Sequence, residues 1–175
     1  MPLHYRLGQA ADALCISGLA TQVFLDTYAT DGMRPDLAEE AFTVYTAARF
    51  EHRLNDSATR FVLAERDGHL QGFAEIVANA EGPRPSLCAG TELVRLYVQR
   101  HAHRQGIGQA LLQHIEALAR ETGQPFLWLT AWVENHRARA FYLAQGYEEA
   151  GVNHYEFGGN TYENRLFQKQ LLIQR

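Results

Sequence analysis

The pattern of apolar and polar residues predicts a chain in which short strands and amphipathic helices follow one another. Alternating or short continuous apolar runs indicate strands, and apolar residues recurring every three or four positions indicate helices. The predicted strands are residues 3–7, 59–65, 70–78, 93–98 and 125–129, one that begins at Tyr147, and 161–173. The predicted helices are residues 10–28, 35–54, 106–123 and 135–145. This order predicts an α/β fold, a mixed central sheet of about six or seven strands with helices on both faces.

Two features of the pattern suggest how the strands are arranged. Asp67-Gly68 separates two strands and is a favoured hairpin turn pair, so these strands are expected to be antiparallel neighbours. Residues 93–98 are almost continuously apolar, which is typical of a central strand covered on both faces. Ligands of such sheets bind at the carboxyl ends of strands, where residues 99–106 lie.

Composition fits one globular domain spanning residues 1–175, with 46% hydrophobic and 21% charged residues. The net charge of -4 and the scattered basic residues argue against a nucleic-acid partner. No apolar window approaches the roughly 20 residues that span a bilayer, so we expect a cytoplasmic protein without a membrane partner. Cys15 and Cys88 lack metal-ligand spacing and are expected to be small core residues, with no metal site.

Residues 101–109, with the sequence HAHRQGIGQ, form a basic loop with glycines that leads into a predicted helix. The first amides of a helix lack intrahelical acceptors and carry the positive end of the helix dipole. Gly106 and Gly108 allow the backbone to approach an anion closely, and His103 and Arg104 add donors. The segment predicts a pyrophosphate site on main-chain amides; the alternative is a tight turn whose glycines serve packing.

Motifs on both sides of this loop strengthen the first interpretation. Leu96-Tyr97-Val98 precedes the loop motif 103–108, and residues 135–147 read NHRARAFYLAQGY. Together these motifs resemble the GNAT family of acetyl-CoA-dependent N-acetyltransferases, over about residues 91–150. The resemblance implies the GNAT fold in a single domain, acetyl-CoA as cosubstrate and an N-acetyltransferase activity. His103 departs from the Arg or Gln usual in the family, which would make that phosphate contact weaker or pH-dependent.

The resemblance also implies which residues hold acetyl-CoA. Main-chain groups of Tyr97 and Val98 would pair with the pantetheine arm as an added strand would. Asn135 is either a pantetheine contact or a helix cap. The implied cofactor-binding residues are Leu96, Tyr97, Val98, His103, Arg104, Gln105, Gly106, Ile107, Gly108, Gln109, Asn135, Arg137 and Tyr142.

Two residues are candidates for the proton transfers of acetyl transfer. Tyr142 matches the family tyrosine near the coenzyme A sulfur, where a hydroxyl could protonate the leaving thiolate; the alternative is an aromatic packed beside Phe141. The acceptor amine has a pKa near 10 and must lose a proton before it attacks. Glu92 is the candidate base, acting through water, or else an ordinary solvated carboxylate. Glu75 is the second choice for the base.

Outside the core, the chain resembles the bacterial spermidine/spermine N-acetyltransferases of the PaiA type, which suggests a small-molecule amine acceptor, such as a polyamine, and allows a homodimer. This resemblance rests on residues 21–28, 92–98, 129–135 and 154–171, although Asn164 stands where an Asp is expected. Phe24, Tyr28 and Glu75 are the candidate acceptor-binding residues, with a core position as the alternative for the first two. Two other functions stay open: a protein or peptide N-acetyltransferase, and a non-catalytic acetyl-CoA sensor.

Overall fold

The computed structural model describes residues 2–83 and 90–171. The strands in this part of the chain are β1 His4–Leu7, β2 Thr59–Arg66, β3 His69–Ala80, β4 Gly90–Val98, β5 Phe126–Trp132, β6 Glu148–Phe157 and β7 Asn160–Gln170. The helices are α1 Ala13–Tyr28, α2 Pro35–Thr43, α3 Ala47–Leu54, α4 Ile107–Glu121 and α5 His136–Ala144, and short 3-10 turns span Ala10–Asp12 and Arg100–Ala102. None of the helices formed by the described residues is long and apolar enough to cross a membrane.

The seven strands form one mixed sheet in the order β1-β2-β3-β4-β5-β7-β6. β1 pairs with β2 antiparallel, whereas β4 pairs with β5 parallel at Thr91 and Glu92. β7 then pairs antiparallel with both β5 and β6. The α/β class, the mixed sheet and the number of strands predicted from the sequence are confirmed.

The chain divides into two compact units. Unit 1 contains the residues up to Glu75 together with Arg95–Ile115, and unit 2 contains Ile76–Val94 and the residues from Glu116 onward. In unit 1 the rings of Phe50, Phe61 and Phe73 pack within 6.2 Å of one another, centroid to centroid. In unit 2 the buried apolar residues include Leu127, Leu129, Leu166 and Phe167.

Turn residues end several elements as the sequence predicts. Asp67 and Gly68 both have positive φ, 54° and 76°, as a two-residue hairpin turn between right-twisted strands requires. α4 and α5 are followed by Gly123 and Gly146, whose φ values of 72° and 83° lie in the left-handed region.

The prediction of one continuous helix over residues 35–54 is wrong, because the structure has two helices there, α2 and α3. Tyr45, in the connection, is buried with its ring 4.9 Å from that of Phe24 on α1, and its carbonyl accepts a hydrogen bond from the Ser17 hydroxyl. Thr46 then starts α3, since its Oγ1 accepts the backbone N–H of Arg49 at 3.4 Å. Tertiary contacts of Tyr45 therefore interrupt an otherwise helical pattern.

The prediction that Cys15 is a core residue is also wrong. The buried residues of α1 are Ala13, Ile16, Leu19, Ala20 and Phe24, which recur at helical spacing and leave Cys15 on the exposed side of the helix. Cys88, for which the same position was expected, lies outside the described residues.

Candidate active site

The C-terminal half of β4 is less buried than its position in the sheet suggests. Gly90, Thr91 and Leu93 are buried, but every residue from Val94 to Val98 is only half-buried. The prediction that this strand is covered on both faces is therefore wrong for its second half. Partly uncovered apolar side chains on the central strand of a sheet provide a surface on which a ligand can bind.

The orientation of the peptide groups in this half of β4 follows from its contacts with β3. The backbone N–H of Gln99 donates to the Gln71 carbonyl at 2.9 Å, and an idealised Cβ on Gly72 would lie 2.7 Å from the Tyr97 carbonyl oxygen. Peptide groups along a strand alternate in direction, so those of Leu96 and Val98 face away from β3. Leu96 and Val98 are thus better placed than Tyr97 to offer main-chain groups to a ligand.

His103 braces the end of this strand against the following loop. Its ring Nε2 lies 2.8 Å from the Val98 carbonyl oxygen. A carbonyl oxygen only accepts, so Nε2 carries the proton and donates it to this bond. The imidazole therefore positions the strand end through Nε2, and its predicted contact with phosphate stays a prediction.

The loop after His103 turns sharply into α4. Arg104 and Gly106 have left-handed φ values of 61° and 77°. The first intrahelical bond of α4 is donated by Ala110 to the Gly106 carbonyl at 3.0 Å. The three preceding amides lie in the first helical turn, where the helix itself offers no acceptor, and they belong to Ile107, Gly108 and Gln109. The anion site that the sequence predicts on these amides stays a prediction.

Gln105, a predicted cofactor ligand, is held in place by two side-chain bonds within unit 1. Its Nε2 donates to the His101 carbonyl at 3.2 Å, and its Oε1 accepts from Arg66 Nη2 at 3.0 Å. Arg66 ends β2 and lies 39 positions before Gln105, so no local sequence signal connects the two residues. The fold thus adds a guanidinium beside the loop that the sequence analysis did not identify.

Three of the residues that the GNAT resemblance assigned lie on α5 or at its start, in unit 2. Asn135 Oδ1 accepts the Ala138 amide at 3.1 Å, which confirms the helix-cap interpretation. Arg137 is exposed on the first turn of this helix. Tyr142 is 8% exposed, and its ring packs against Phe141 and Phe167 at centroid distances of 5.3 and 6.1 Å. The packing role of Tyr142 is confirmed, and its role as an acid stays a prediction.

The candidate base Glu92 also lies in unit 2 and is half-buried on β4. It is in register with Trp128 on β5, and register partners in a parallel pair extend to the same face of the sheet. Trp128 is 4% exposed, so one side of Glu92 is bounded by a large buried ring. The role of Glu92 as a base stays a prediction.

Glu75, the second-choice base and a candidate acceptor contact, is fully buried in unit 1. Its Oε2 accepts a hydrogen bond from Arg95 Nη1 at 2.6 Å, and its Oε1 accepts one from Arg53 Nε. With no exposed surface and both oxygens bonded to guanidinium groups, the carboxylate is in a structural ion pair. This position argues against direct contact between Glu75 and an acceptor.

The two aromatic acceptor candidates on α1 differ in exposure. Phe24 is 5% exposed and packs between Tyr28 and Tyr45, with ring centroids 5.2 and 4.9 Å away. Tyr28 is 38% exposed. Phe24 is therefore a core residue, and only Tyr28 keeps surface for contact with an acceptor.

Comparisons with known proteins agree with the fold and show the family. Residues 25–147 match the model of a family described as the acetyltransferase (GNAT) family. An uncharacterized N-acetyltransferase of Lactobacillus delbrueckii subsp. lactis is 21% identical over 154 residues, which cover 88% of this chain and 89% of that protein.

Two solved structures with this fold contain coenzyme A or acetyl-CoA. The PaiA N-acetyltransferase of Thermoplasma acidophilum, in complex with coenzyme A, superposes with a TM-score of 0.80 at 20% identity and covers 97% of this chain and 99% of its own. The yncA protein of Salmonella typhimurium is a putative acetyltransferase whose structure contains acetyl-CoA. It superposes with a TM-score of 0.70 at 19% identity and covers 100% of this chain and 97% of its own. Among the described residues of this chain, no group of His, Cys, Asp and Glu side chains could hold a metal ion.

Proposed function

Because the chain belongs to the GNAT family and is an acetyl-CoA-dependent N-acetyltransferase, we propose that it acetylates a primary amine of a small molecule by direct transfer. Both substrates are then bound at once, and no acetyl-enzyme forms. Cys15 does not suggest a covalent route, since it lies on the exposed side of α1. The observation that carries the proposal is the half-buried end of β4, which leads directly into the glycine loop and α4.

Acetyl-CoA supplies an activated acetyl group, and the residues of this chain bind and orient it. The outward main-chain groups of Leu96 and the backbone N–H of Val98, whose carbonyl accepts from His103, pair with the pantetheine amides, as in strand addition. The amides of Ile107, Gly108 and Gln109 bind the pyrophosphate at the positive end of the α4 dipole. Most of this recognition uses the backbone, so it depends little on whether position 103 carries His, Arg or Gln.

We assign one residue to each of two proton transfers in the reaction. Glu92 accepts the first proton of the incoming ammonium through water, so that the neutral nitrogen attacks the thioester carbonyl and the C–N bond forms. The nitrogen then loses its second proton to water, the C–S bond breaks, and the Tyr142 hydroxyl donates a proton to the departing sulfur. Solvent reprotonates the tyrosine and takes the proton from Glu92, so that one proton is released in total.

The acceptor class is the finer part of the proposal. The resemblance to PaiA-type enzymes makes polyamines the first candidates, although the solved PaiA structure, at 20% identity, is evidence for the fold only. A homodimer and a cytoplasmic location stay predictions from the sequence.

A thiol-release assay with a panel of amines tests the proposed function. Polyamines, amino acids, aminoglycosides and peptides are each offered with acetyl-CoA, and calorimetry measures acetyl-CoA binding separately. Release of coenzyme A with at least one small amine supports the proposal, and turnover of peptides alone identifies a peptide acetyltransferase. Binding of acetyl-CoA without turnover of any acceptor identifies a sensor, and absence of binding refutes the site.

A further inference from the structure

Arg66, the last residue of β2, is bonded to the loop that leads into α4. Its Nη2 donates a hydrogen bond to Gln105 Oε1 at 3.0 Å. Both residues belong to unit 1. In the part of the chain that the structure describes, Arg66 makes no ion pair, and its hydrogen bond is the one to Gln105. The side chain of Arg66 therefore serves the loop rather than a carboxylate.

The side chain of Arg66 lies on the face of the sheet that α4 covers. Tyr5 on β1 is in register with Ala64, and register partners, like residues two apart on one strand, extend to the same face. The ring of Tyr5 stacks on that of His114 on α4, with centroids 4.9 Å apart. Burial raises the pKa of the Tyr5 hydroxyl, and the nearby charge of Arg66 opposes this rise. Arg66 is therefore on the same side of β2 as α4.

The loop that Arg66 contacts has a conformation that needs support. Arg104, directly before Gln105, has a φ of 61°, and Gly106, directly after it, has a φ of 77°. The left-handed region is unfavourable for a residue with a Cβ atom, so contacts of the neighbouring residues must hold Arg104 in it. Gln105 lies between the two left-handed residues and makes such contacts through both ends of its side-chain amide.

Side-chain bonds to two other strands hold the first half of the loop. His101 Nε2 lies 3.1 Å from Gln71 Oε1 on β3, and His103 Nε2 lies 2.8 Å from the Val98 carbonyl oxygen at the end of β4. Neither bond involves a residue beyond 103. The second half of the loop therefore depends on other contacts.

The bond from Arg66 connects the second half of the loop to β2. Gln105 Nε2 donates to the His101 carbonyl at 3.2 Å, which is a bond within the loop, so the bond to Arg66 is the one that joins this side chain to the sheet. The amides of residues 107–109, to which the proposed function assigns the pyrophosphate, follow directly. Arg66 is thus placed to influence them without touching the cosubstrate.

A second feature of Arg66 argues against a role in the stability of β2. Its Nε is buried and has no hydrogen-bond acceptor among the described residues. A buried donor without an acceptor lowers stability. The carboxylates next to it along the chain do not change this, since Glu65 is bonded to Arg6 and Asp67 is exposed in the hairpin turn. The favourable contact of Arg66 is its bond to the loop.

We propose, on the basis of the proposed function, that Arg66 is a positioning residue for the pyrophosphate of acetyl-CoA. Through Gln105 it fixes the loop, so that the amides of residues 107–109 keep the arrangement that the pyrophosphate requires. The hydrogen bond carries this role, rather than the charge of the guanidinium group. Loss of Arg66 therefore weakens the use of a donor that contains the pyrophosphate and leaves the acetyl transfer itself intact.

The first test compares two acetyl donors with the same thioester. Acetyl-CoA contains the pyrophosphate and the nucleotide, and S-acetylpantetheine lacks both. Thiol release with the best acceptor amine of the panel gives kcat/KM for each donor, and the ratio of the two values is the donor ratio. Arg66→Met is expected to lower the donor ratio about fivefold, as the loss of one hydrogen bond predicts, by raising KM for acetyl-CoA while kcat changes less than about twofold. An unchanged KM for acetyl-CoA overturns the inference.

Arg60→Met is the matched control for this test. Arg60 is exposed on the same strand, and its Nη1 donates to the carbonyls of Ser57 and Thr59 rather than to the loop. The control is expected to change the donor ratio less than about twofold. The melting temperature of Arg66→Met should stay near the wild-type value, because the substitution also removes a buried donor without an acceptor. An equal loss with both donors and a lower melting temperature would show a general structural role and overturn the inference.

The second test asks whether Arg66 acts through Gln105. Gln105→Leu changes an exposed side chain and should lower the donor ratio at least as much as Arg66→Met. The double variant should be no worse than Gln105→Leu alone, because both substitutions break the same bond. Arg66→Lys retains a donor and is expected to recover part of the donor ratio. Losses that multiply in the double variant would show that Arg66 acts independently of Gln105 and overturn the inference.

Two further outcomes separate this inference from its alternatives. Acetyl-dephospho-CoA keeps the pyrophosphate and lacks the 3′-phosphate, so Arg66→Met should raise its KM as much as that of acetyl-CoA. A rise for acetyl-CoA alone would show direct contact of Arg66 with the 3′-phosphate and overturn the inference. Failure of calorimetry to detect acetyl-CoA binding by the wild-type protein would instead overturn the proposed function, on which the inference rests.

Discussion

At the scale of single residues, the chemistry proposed for Tyr142 depends on a ring that its neighbours hold in place. Phe141, Tyr147 and Phe167 surround this ring, with centroids 5.3, 5.7 and 6.1 Å away. A phenylalanine at this position keeps all three contacts and removes only the hydroxyl group. The residue therefore allows the packing role and the chemical role to be separated by one substitution.

Tyr142→Phe is expected to lower kcat about a hundredfold, since the leaving thiolate loses its proton donor. Acetyl-CoA affinity and the melting temperature should stay near their wild-type values, because the hydroxyl contributes mainly when the thiolate develops. Steady-state kinetics, calorimetry and thermal unfolding measure the three quantities. Tyr155→Phe, at a residue that is 51% exposed, is the control and should leave kcat unchanged. A normal kcat in Tyr142→Phe would remove the proposed acid.

Sequence patterns identified single residues well where a local motif fixes their role, and poorly where a distant partner does. Asn135 could be predicted as a helix cap, because the residue type and its position before a helix are sufficient. Glu75 could not be assigned correctly, since Arg53 and Arg95 lie 22 and 20 positions away in the chain. Only the fold brings these charges together, and their pairing changes Glu75 from a candidate base to a structural residue.

At the scale of elements, an ion pair between a buried carboxylate on α4 and a half-buried lysine on β7 connects these elements within unit 2. Glu116 Oε1 accepts from Lys169 Nζ at 2.8 Å and from the Tyr147 hydroxyl at 3.1 Å. The same ammonium group donates to the Gln145 carbonyl at the end of α5, at 3.0 Å. Burial raises the pKa of Tyr147, so its hydroxyl stays protonated and continues to donate. The Glu116 carboxylate thus joins α4 to β7 and to the connection between α5 and β6.

Lys169→Met is expected to destabilise the protein by about 3 kcal/mol, since it leaves the buried Glu116 without its ammonium partner. The double variant Lys169→Met/Glu116→Gln should recover most of this loss, because the uncompensated charge is gone. Urea unfolding of the single and double variants gives the free energies. Arg120→Met is the control, since Arg120 contacts the other Glu116 oxygen at 3.4 Å from a side chain that is 39% exposed. Equal losses in Lys169→Met and Arg120→Met would contradict this account.

Element boundaries followed from the sequence where turn chemistry marks them, as at Asp67-Gly68, Gly123 and Gly146. The break between α2 and α3 did not, because the residues around it keep a helical apolar spacing. The structure ends α2 at Thr43 and starts α3 at Ala47, with Tyr45 directed into the contacts of Phe24 and Tyr97. The contacts of the Tyr45 side chain with two residues distant in sequence override the local preference for a continuous helix.

At the scale of the whole molecule, the class of fold could be predicted but the order of the strands could not. Periodicity distinguishes strands from helices, and a mixture of both implies a layered α/β fold. The position of β7 between β5 and β6 depends on pairing across the sheet, which no local pattern specifies. The half-burial of the second half of β4 could not be predicted for the same reason. How far a strand is buried depends on the elements that pack against it, and not only on its own apolar residues.

Binding of acetyl-CoA to this strand end and loop should stabilise the folded molecule. At a ligand concentration of about 100 times Kd, linkage contributes about 2.7 kcal/mol. For a domain of this size that corresponds to a rise in melting temperature of about 5–10 °C, measured by thermal unfolding with and without acetyl-CoA. Gly108 is half-buried in the first turn of α4, and Gly108→Val would place a branched side chain against the pyrophosphate.

Gly108→Val should therefore show less than about half of the wild-type rise in melting temperature at the same acetyl-CoA concentration. Its melting temperature without ligand should stay near the wild-type value. Gly18→Val is the matched control, because Gly18 lies on the exposed side of α1 and an added Cβ there meets no atom within 4 Å. If Gly18→Val reduces the shift as much as Gly108→Val, the effect is a general one of valine in a helix. A full shift in Gly108→Val would show that the pyrophosphate does not bind at the first turn of α4, and the loop would then be only a connection between β4 and α4.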